Sequence, residues 1–281
     1  MHDPVIVLTA ARSGRRAPLA RLVSDWLLHA AHVLGWLTLF AWTAVANAGV
    51  TPEVSRVVFN GGSVEQSLQL FNVNPYPVLG QAWVDDGRID ALPQQSKAQV
   101  IALPPVFRMS AGAQTSLRLI NVDTRSLPTD RESLLWLNLF EIPATPTHRA
   151  ADEVSLTVTM RTQIKVFVRP DKLPYPQTEL AKHLVFALRR SGNTLTLSVD
   201  NPTPYHATIS MARVTVGERS AEQTMDTIAP FSSASVALDG LRDAVGDRAT
   251  LQYTLIGDDG NPVVDQRDLP FADAQPPVGA T

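Results

Sequence analysis

Hydrophobic and polar positions alternate most clearly in residues 154–170, VSLTVTMRTQIKVFVRP. Val154, Leu156, Val158 and Met160 are separated by Ser155, Thr157 and Thr159, and Ile164, Val166 and Val168 continue the series past Lys165 and Phe167. A period of two rich in β-branched residues predicts a strand with one apolar face, ended by Arg169-Pro170. At about 3.3 Å per residue such a strand runs close to 50 Å, beyond the usual length, so part of it is expected to lie on a sheet edge. An apolar edge is a hazard unless a partner takes it.

The same short period recurs along most of the chain, and helical periodicity is nearly absent. Strands are predicted over 53–59, 66–72, 78–84, 99–101, 106–109, 116–121 and 134–141, before the long strand. Gly61-Gly62, Asn74-Pro75, Asp85-Asp86-Gly87, Pro104-Pro105 and Ala111-Gly112 break the series. This spacing is that of an immunoglobulin-like sandwich. PDKLPYPQ then places three prolines in a stiff linker. A second all-β set follows at 183–188, 194–200, 206–216, 233–237, 249–256 and 262–265, with turns at Asn201-Pro202 and Asp259-Gly260, and a frayed tail from Ala272.

Composition narrows the function. With 281 residues, 44% of them hydrophobic, the chain supplies cores for two domains. A net charge of −3 argues against nucleic-acid binding by a global basic field. The absence of cysteine excludes disulfides, a thiol nucleophile and thiolate metal sites. Arg12, Arg15, Arg16 and Arg21 precede an apolar run over 26–45 and the small-x-small Ala46-Asn47-Ala48. Residues 1–48 therefore read as a signal peptide cut before Gly49. The alternative is a retained anchor, which His29, His32 and the cleavage pattern disfavour.

Catalytic signals are missing. His148, His183 and His206 lack ligand spacing, and the chain carries neither a phosphate-binding glycine loop nor a G-x-S-x-G turn. Asp258-Asp259-Gly260-Asn261 lacks the spaced acids of a calcium loop and reads as a turn. No enzyme, metal or cofactor is expected. Two cations stand out: Lys165 interrupts an apolar strand, and Arg56 precedes Val57-Val58-Phe59. Either both snorkel to solvent, or they share one anion in a cleft.

DRESLLWLNLFEIP (130–143) resembles the signature of periplasmic pilus-assembly chaperones of the chaperone–usher pathway, and QIKVFVRP (163–170) resembles the end of that family's long strand. SRVVFNG, PYPVLGQAWVDD, PPVFRMSAG, DNPTPYHATI and GDDGNPV match further family positions in order. The resemblance spans residues 50–265. It implies two immunoglobulin-like domains in an L or boomerang arrangement, 49–169 binding pilin and 170–281 following it. It also implies a non-enzymatic periplasmic chaperone that caps pilin subunits by donor-strand complementation and delivers them to an outer-membrane usher in fimbrium biogenesis. Arg56 and Lys165 match the cations that bind the pilin C-terminal carboxylate, and Val154, Leu156, Val158 and Met160 match the donor residues. Glu132, Arg169 and Asp258 match an interdomain ion network, and Pro77 and Pro105 match usher-facing prolines. The short connection 143–154 resembles the family's short-loop branch, while the acidic charge departs from many basic relatives. Self-dimerisation through the apolar edge is a further expectation, without membrane insertion of the mature chain. The alternative from another class is an immunoglobulin-like surface adhesin or carbohydrate-binding module, with recognition in end loops.

Overall fold

The computed structural model describes residues 49–144, 157–192, 194–242, 244, 246 and 248–270. The expected leader, the connection after Ala144 and the tail lie outside these residues, as do donor residues Val154 and Leu156.

The N-terminal sandwich is built from β1 (Val50–Pro52), β2 (Arg56–Phe59), β3 (Glu65–Asn72), β4 (Val78–Asp85), β5 (Val100–Leu103), β6 (Val106–Met109), β7 (Gln114–Asn121), β8 (Ser133–Pro143) and β9 (Met160–Val168). One sheet has the order β1-β3-β7-β5 and the other β2-β9-β8-β4-β6. Alternate residues meet between them: Leu68, Leu70, Leu117 and Leu119 belong to the same buried core as Leu137, Leu139, Ile164 and Val166. Burial of each such side chain stabilises by about 1.5–3 kcal/mol before ordering costs.

The second sandwich contains β10 (Val185–Ser191), β11 (Thr194–Asn201), β12 (Ile209–Val216), β13 (Arg219–Gln223), β14 (Ser232–Ala237), β15 (Arg248–Ile256) and β16 (Pro262–Pro270). Its sheets run β10-β11-β14 and β13-β12-β15-β16, around Leu197, Val199, Val214, Leu251 and Tyr253. The fold is all-β in two domains.

Three expectations need correction. The first predicted strand, 53–59, is shorter, since only Arg56–Phe59 is a strand; a separate strand, β1, precedes it and pairs with β3 in one sheet, whereas β2 pairs with β9 in the other. The segment at 183 begins as a helical turn, Leu180–His183, because Leu180 and Leu184 both enter the core there. The long strand begins at Met160; residues 157–159, Val158 among them, are not in a strand. Alternation set its parity correctly, but β8, its partner, ends at Pro143 opposite Val78 of β4, and Met160 pairs with Glu141 near that end.

Candidate functional site

β9 has two kinds of neighbour. Along its whole length it pairs antiparallel with β8, from Met160 opposite Glu141 to Val168 opposite Ser133. On its other side, β2 runs parallel to it and covers only Lys165 to Val168. Residues 160–164 thus have a strand on one side only among the described residues. Val158 and Met160 are exposed beside this free edge, at 63% and 42%.

Arg56 and Lys165 stand where the edge closes. They are directly opposite each other in the β2–β9 ladder, so both side chains leave the same face of the sheet. That face is the outer one, since Val57, Ile164 and Val166 point into the core. Arg56 does not snorkel to water: it is buried, and its Nη1 donates to the Ile256 carbonyl of the second domain at 3.1 Å. Its Nε–H is buried without a hydrogen-bond partner. Lys165 is half-buried, with its Nζ 5.5 Å from the centre of the Trp136 ring. No described carboxylate comes within ion-pair distance of either cation.

This arrangement is costly for the free protein. Burial lowers the Arg56 pKa, against the opposing charges of Asp258, Asp259 and Glu132. Burial also lowers that of Lys165, and the neighbouring Arg56 charge lowers it further, with Asp226 opposing. Two desolvated like charges with one unpartnered N–H are complementary to a carboxylate.

Arg169 follows β9 directly and forms the opposite kind of centre. Its Nε donates to Glu132 Oε2 at 2.6 Å, its Nη2 to Asp258 Oδ1 at 2.7 Å, and its Nη1 to Asn60 Oδ1 at 3.2 Å. Glu132 lies before β8, and Asp258 in the turn between β15 and β16, so the guanidinium joins the two sandwiches. Burial disfavours the charged guanidinium. The hydrogen bonds to Asp258, the charges of Glu132 and Asp258, and the Glu132 hydrogen bond outweigh it, raising its pKa. At Gly260 in the same turn, φ is +81° and an added Cβ would come within 2.5 Å of Ser55 Oγ, so glycine permits the docking.

His206 belongs to this network and was not singled out by the sequence. Its backbone N–H donates to Glu132 Oε1 at 3.0 Å, its Nδ1 lies 2.9 Å from the same oxygen, and its ring faces Phe167 of β9. The backbone of Glu132 donates to Pro204 O at 2.8 Å. DNPTPYHATI carried the signal, but a lone histidine gave no pattern that would assign it a carboxylate.

Pro77 and Pro105 are not brought together. Pro77 precedes β4 and Pro105 precedes β6, at opposite ends of that strand pair, with exposed Leu79 and Val106 on it. Among the described residues no group of three or more His, Asp or Glu is placed to hold a metal.

The N-terminal domain model of the pili and flagellar-assembly chaperone PapD matches residues 49–174, and the C-terminal domain model of the pili assembly chaperone PapD matches residues 179–266. The FimB/FhaD chaperone of Bordetella pertussis is 33% identical over 232 residues, covering 81% of this chain and 91% of that protein. This chain belongs to the PapD family of pilus-assembly chaperones. The crystal structure of the YadV chaperone superposes with a TM-score of 0.67 at 28% identity, over 78% of this chain and 99% of YadV. SafB of Salmonella enterica, solved in complex with SafA pilin, shares the fold at a TM-score of 0.63 and 24% identity, over 80% of this chain and 97% of SafB. The family is not an enzyme family.

Proposed function

We propose that this chain is a periplasmic chaperone that caps pilin subunits by lending them a strand and hands them to an outer-membrane usher. Chaperone–pilin complementation is itself a standard example of β-strand addition, in which backbone bonds give affinity and alternate side chains give specificity. Residues 1–48 serve as its export leader, 49–169 as the pilin-binding domain and 170–281 as the second domain. Glu132, Arg169 and Asp258 hold the interdomain angle, and Pro77 and Pro105 face the usher.

The observation that carries this reading is the cross-strand pair Arg56–Lys165 at the end of a free strand edge. A guest strand on residues 160–164, running parallel to β9 as β2 does, would be collinear with β2. Its C-terminal end would meet Arg56, where β2 begins. A terminal carboxylate there satisfies the unpartnered Nε–H and relieves the repulsion between the cations. Anchoring the end also fixes the register, since a slip of one residue would reverse every guest side chain. Val154, Leu156, Val158 and Met160, the last of which opens β9, are the donor residues.

The test is co-expression with pilin subunits of the same source. Wild type is expected to purify with a subunit, whereas Arg56→Ala and Lys165→Ala lose it while remaining folded. Undiminished capture by both variants would remove the carboxylate anchor from the mechanism. N-terminal sequencing of the exported protein checks the leader, with Gly49 expected first.

A further inference from the structure

Lysine is a flexible side chain, and Lys165 stands beside a second cation that repels it. Something must keep its ammonium from swinging into solvent. The usual holder, a carboxylate, would neutralise the charge needed for an anionic guest.

The outer face of the sheet shows a different holder. Across four strands in register stand Asp85 of β4, Trp136 of β8, Lys165 of β9 and Arg56 of β2. Asp85 is committed elsewhere: it accepts from Trp83 Nε1 at 2.9 Å, Gly87 N at 2.8 Å and Arg161 Nη2 at 3.3 Å. Asp226 contributes charge to Lys165 without an ion pair. Trp136 lies between Asp85 and Lys165, and the ammonium is 5.5 Å from its ring centre, within cation–π range. The ring is fixed in turn by Gly87. A Cβ at that position would lie 2.4 Å from both Cδ1 and Nε1 of the indole, and φ at Gly87 is +90°, which favours glycine.

We propose that Trp136, seated on Gly87, is the positioning residue that holds the Lys165 ammonium beside Arg56 while leaving its charge available to a guest carboxylate. The ring attracts the cation through its quadrupole and offers it no counter-charge. The proposal rests on the carboxylate reading for its purpose, but the holding itself is measurable without any guest.

The experiment uses the full exported chain as wild type, Trp136→Phe, Trp136→Leu and Gly87→Ala. Competitive acetylation across pH, read at the Lys165 peptide by mass spectrometry, gives the titration midpoint of that amine. In wild type the midpoint lies below the ordinary lysine range. Trp136→Leu and Gly87→Ala release the side chain to solvent, so the midpoint rises toward that range, while Trp136→Phe keeps it low. A midpoint that stays put or falls in Trp136→Leu overturns the holding role. If that variant does not fold, Gly87→Ala decides by the same criterion.

Binding of a synthetic apolar peptide with a free C-terminal carboxylate, compared with its C-terminal amide, supplies the second readout. Wild type prefers the carboxylate, and Trp136→Leu weakens that form about tenfold, with most affinity kept by Trp136→Phe. Equal binding of both peptides by wild type would overturn the carboxylate reading, leaving the acetylation midpoint to decide the role of Trp136.

Discussion

Arg169, with 9% of its side chain exposed, and the buried Arg56 both stand at the junction of the same two sandwiches, and they differ in what faces them. Arg169 is closed on several sides by Glu132, Asp258 and Asn60, and its charged form is favoured. Arg56 has one carbonyl partner, an unpartnered Nε–H and a lysine across the ladder, and its charged form is disfavoured. A saturated ion centre contributes to cohesion, whereas an unsaturated one carries an uncompensated desolvation cost. Similar charge and burial thus serve different ends, and the difference lies in the neighbours.

The largest effect is expected from opening the saturated centre. Arg169→Met leaves Glu132 buried with only His206 and removes the bond to Asp258, so unfolding should become easier by about 3–5 kcal/mol. Urea denaturation checks this; an unchanged midpoint would mean that the network is not cohesive. Next come Arg56→Ala and Lys165→Ala, each expected to weaken guest binding by about 2–5 kcal/mol. Neither should lower stability comparably. A stability loss equal to that of Arg169→Met would erase the contrast between the two centres.

Much of this was legible in the sequence. Alternation located most strands and set the parity of β9, so that Ile164, Val166 and Val168 enter the core opposite Lys165. β13 was not found, because RSAEQ buries only Ala221 and shows no apolar period. The parallel pairing of β2 with β9 was equally invisible: periodicity reports the face on which a side chain lies, but not which strand stands beside it. For that reason the residues alone left Arg56 and Lys165 open between solvent and a shared anion, and could not tell that the two stand opposite each other in the ladder. Trp136 and Gly87 were hidden for the same reason, since their association with Lys165 runs across strands.

A smaller effect sharpens the comparison within the saturated centre. Asp258 is partly exposed, at 38% of its side chain, whereas Glu132 is almost fully enclosed at 1%. Water can replace Asp258 more readily, so Asp258→Ala should cost only about 1 kcal/mol. Glu132→Ala should cost about 3 kcal/mol or more, because it leaves Arg169 and the His206 N–H without their enclosed acceptor. Equal losses on urea denaturation would show that enclosure does not rank these partners.

The smallest effect is the most specific to the unsaturated centre, and its sign is unusual. Burial and the Arg56 charge hold the Lys165 pKa below the ordinary lysine value of 10.5 that it regains on unfolding. Between the two values the unfolded chain binds more protons, so this group makes stability rise with pH, and below the lower value its cost is present in full. Lys165→Met removes that cost. Because the amine is partly screened by water, the gain at neutral pH should not exceed about 2–4 °C in Tm, the shift given by ~1 kcal/mol in a chain of this size. The difference from wild type should shrink as pH rises toward 10.5. Guest affinity of wild type should move the opposite way, falling as Lys165 loses its proton, and beginning to fall below the ordinary lysine range. A Lys165→Met protein less stable than wild type at neutral pH would make Lys165 a cohesive residue like Arg169, and the distinction between the two centres would then fail.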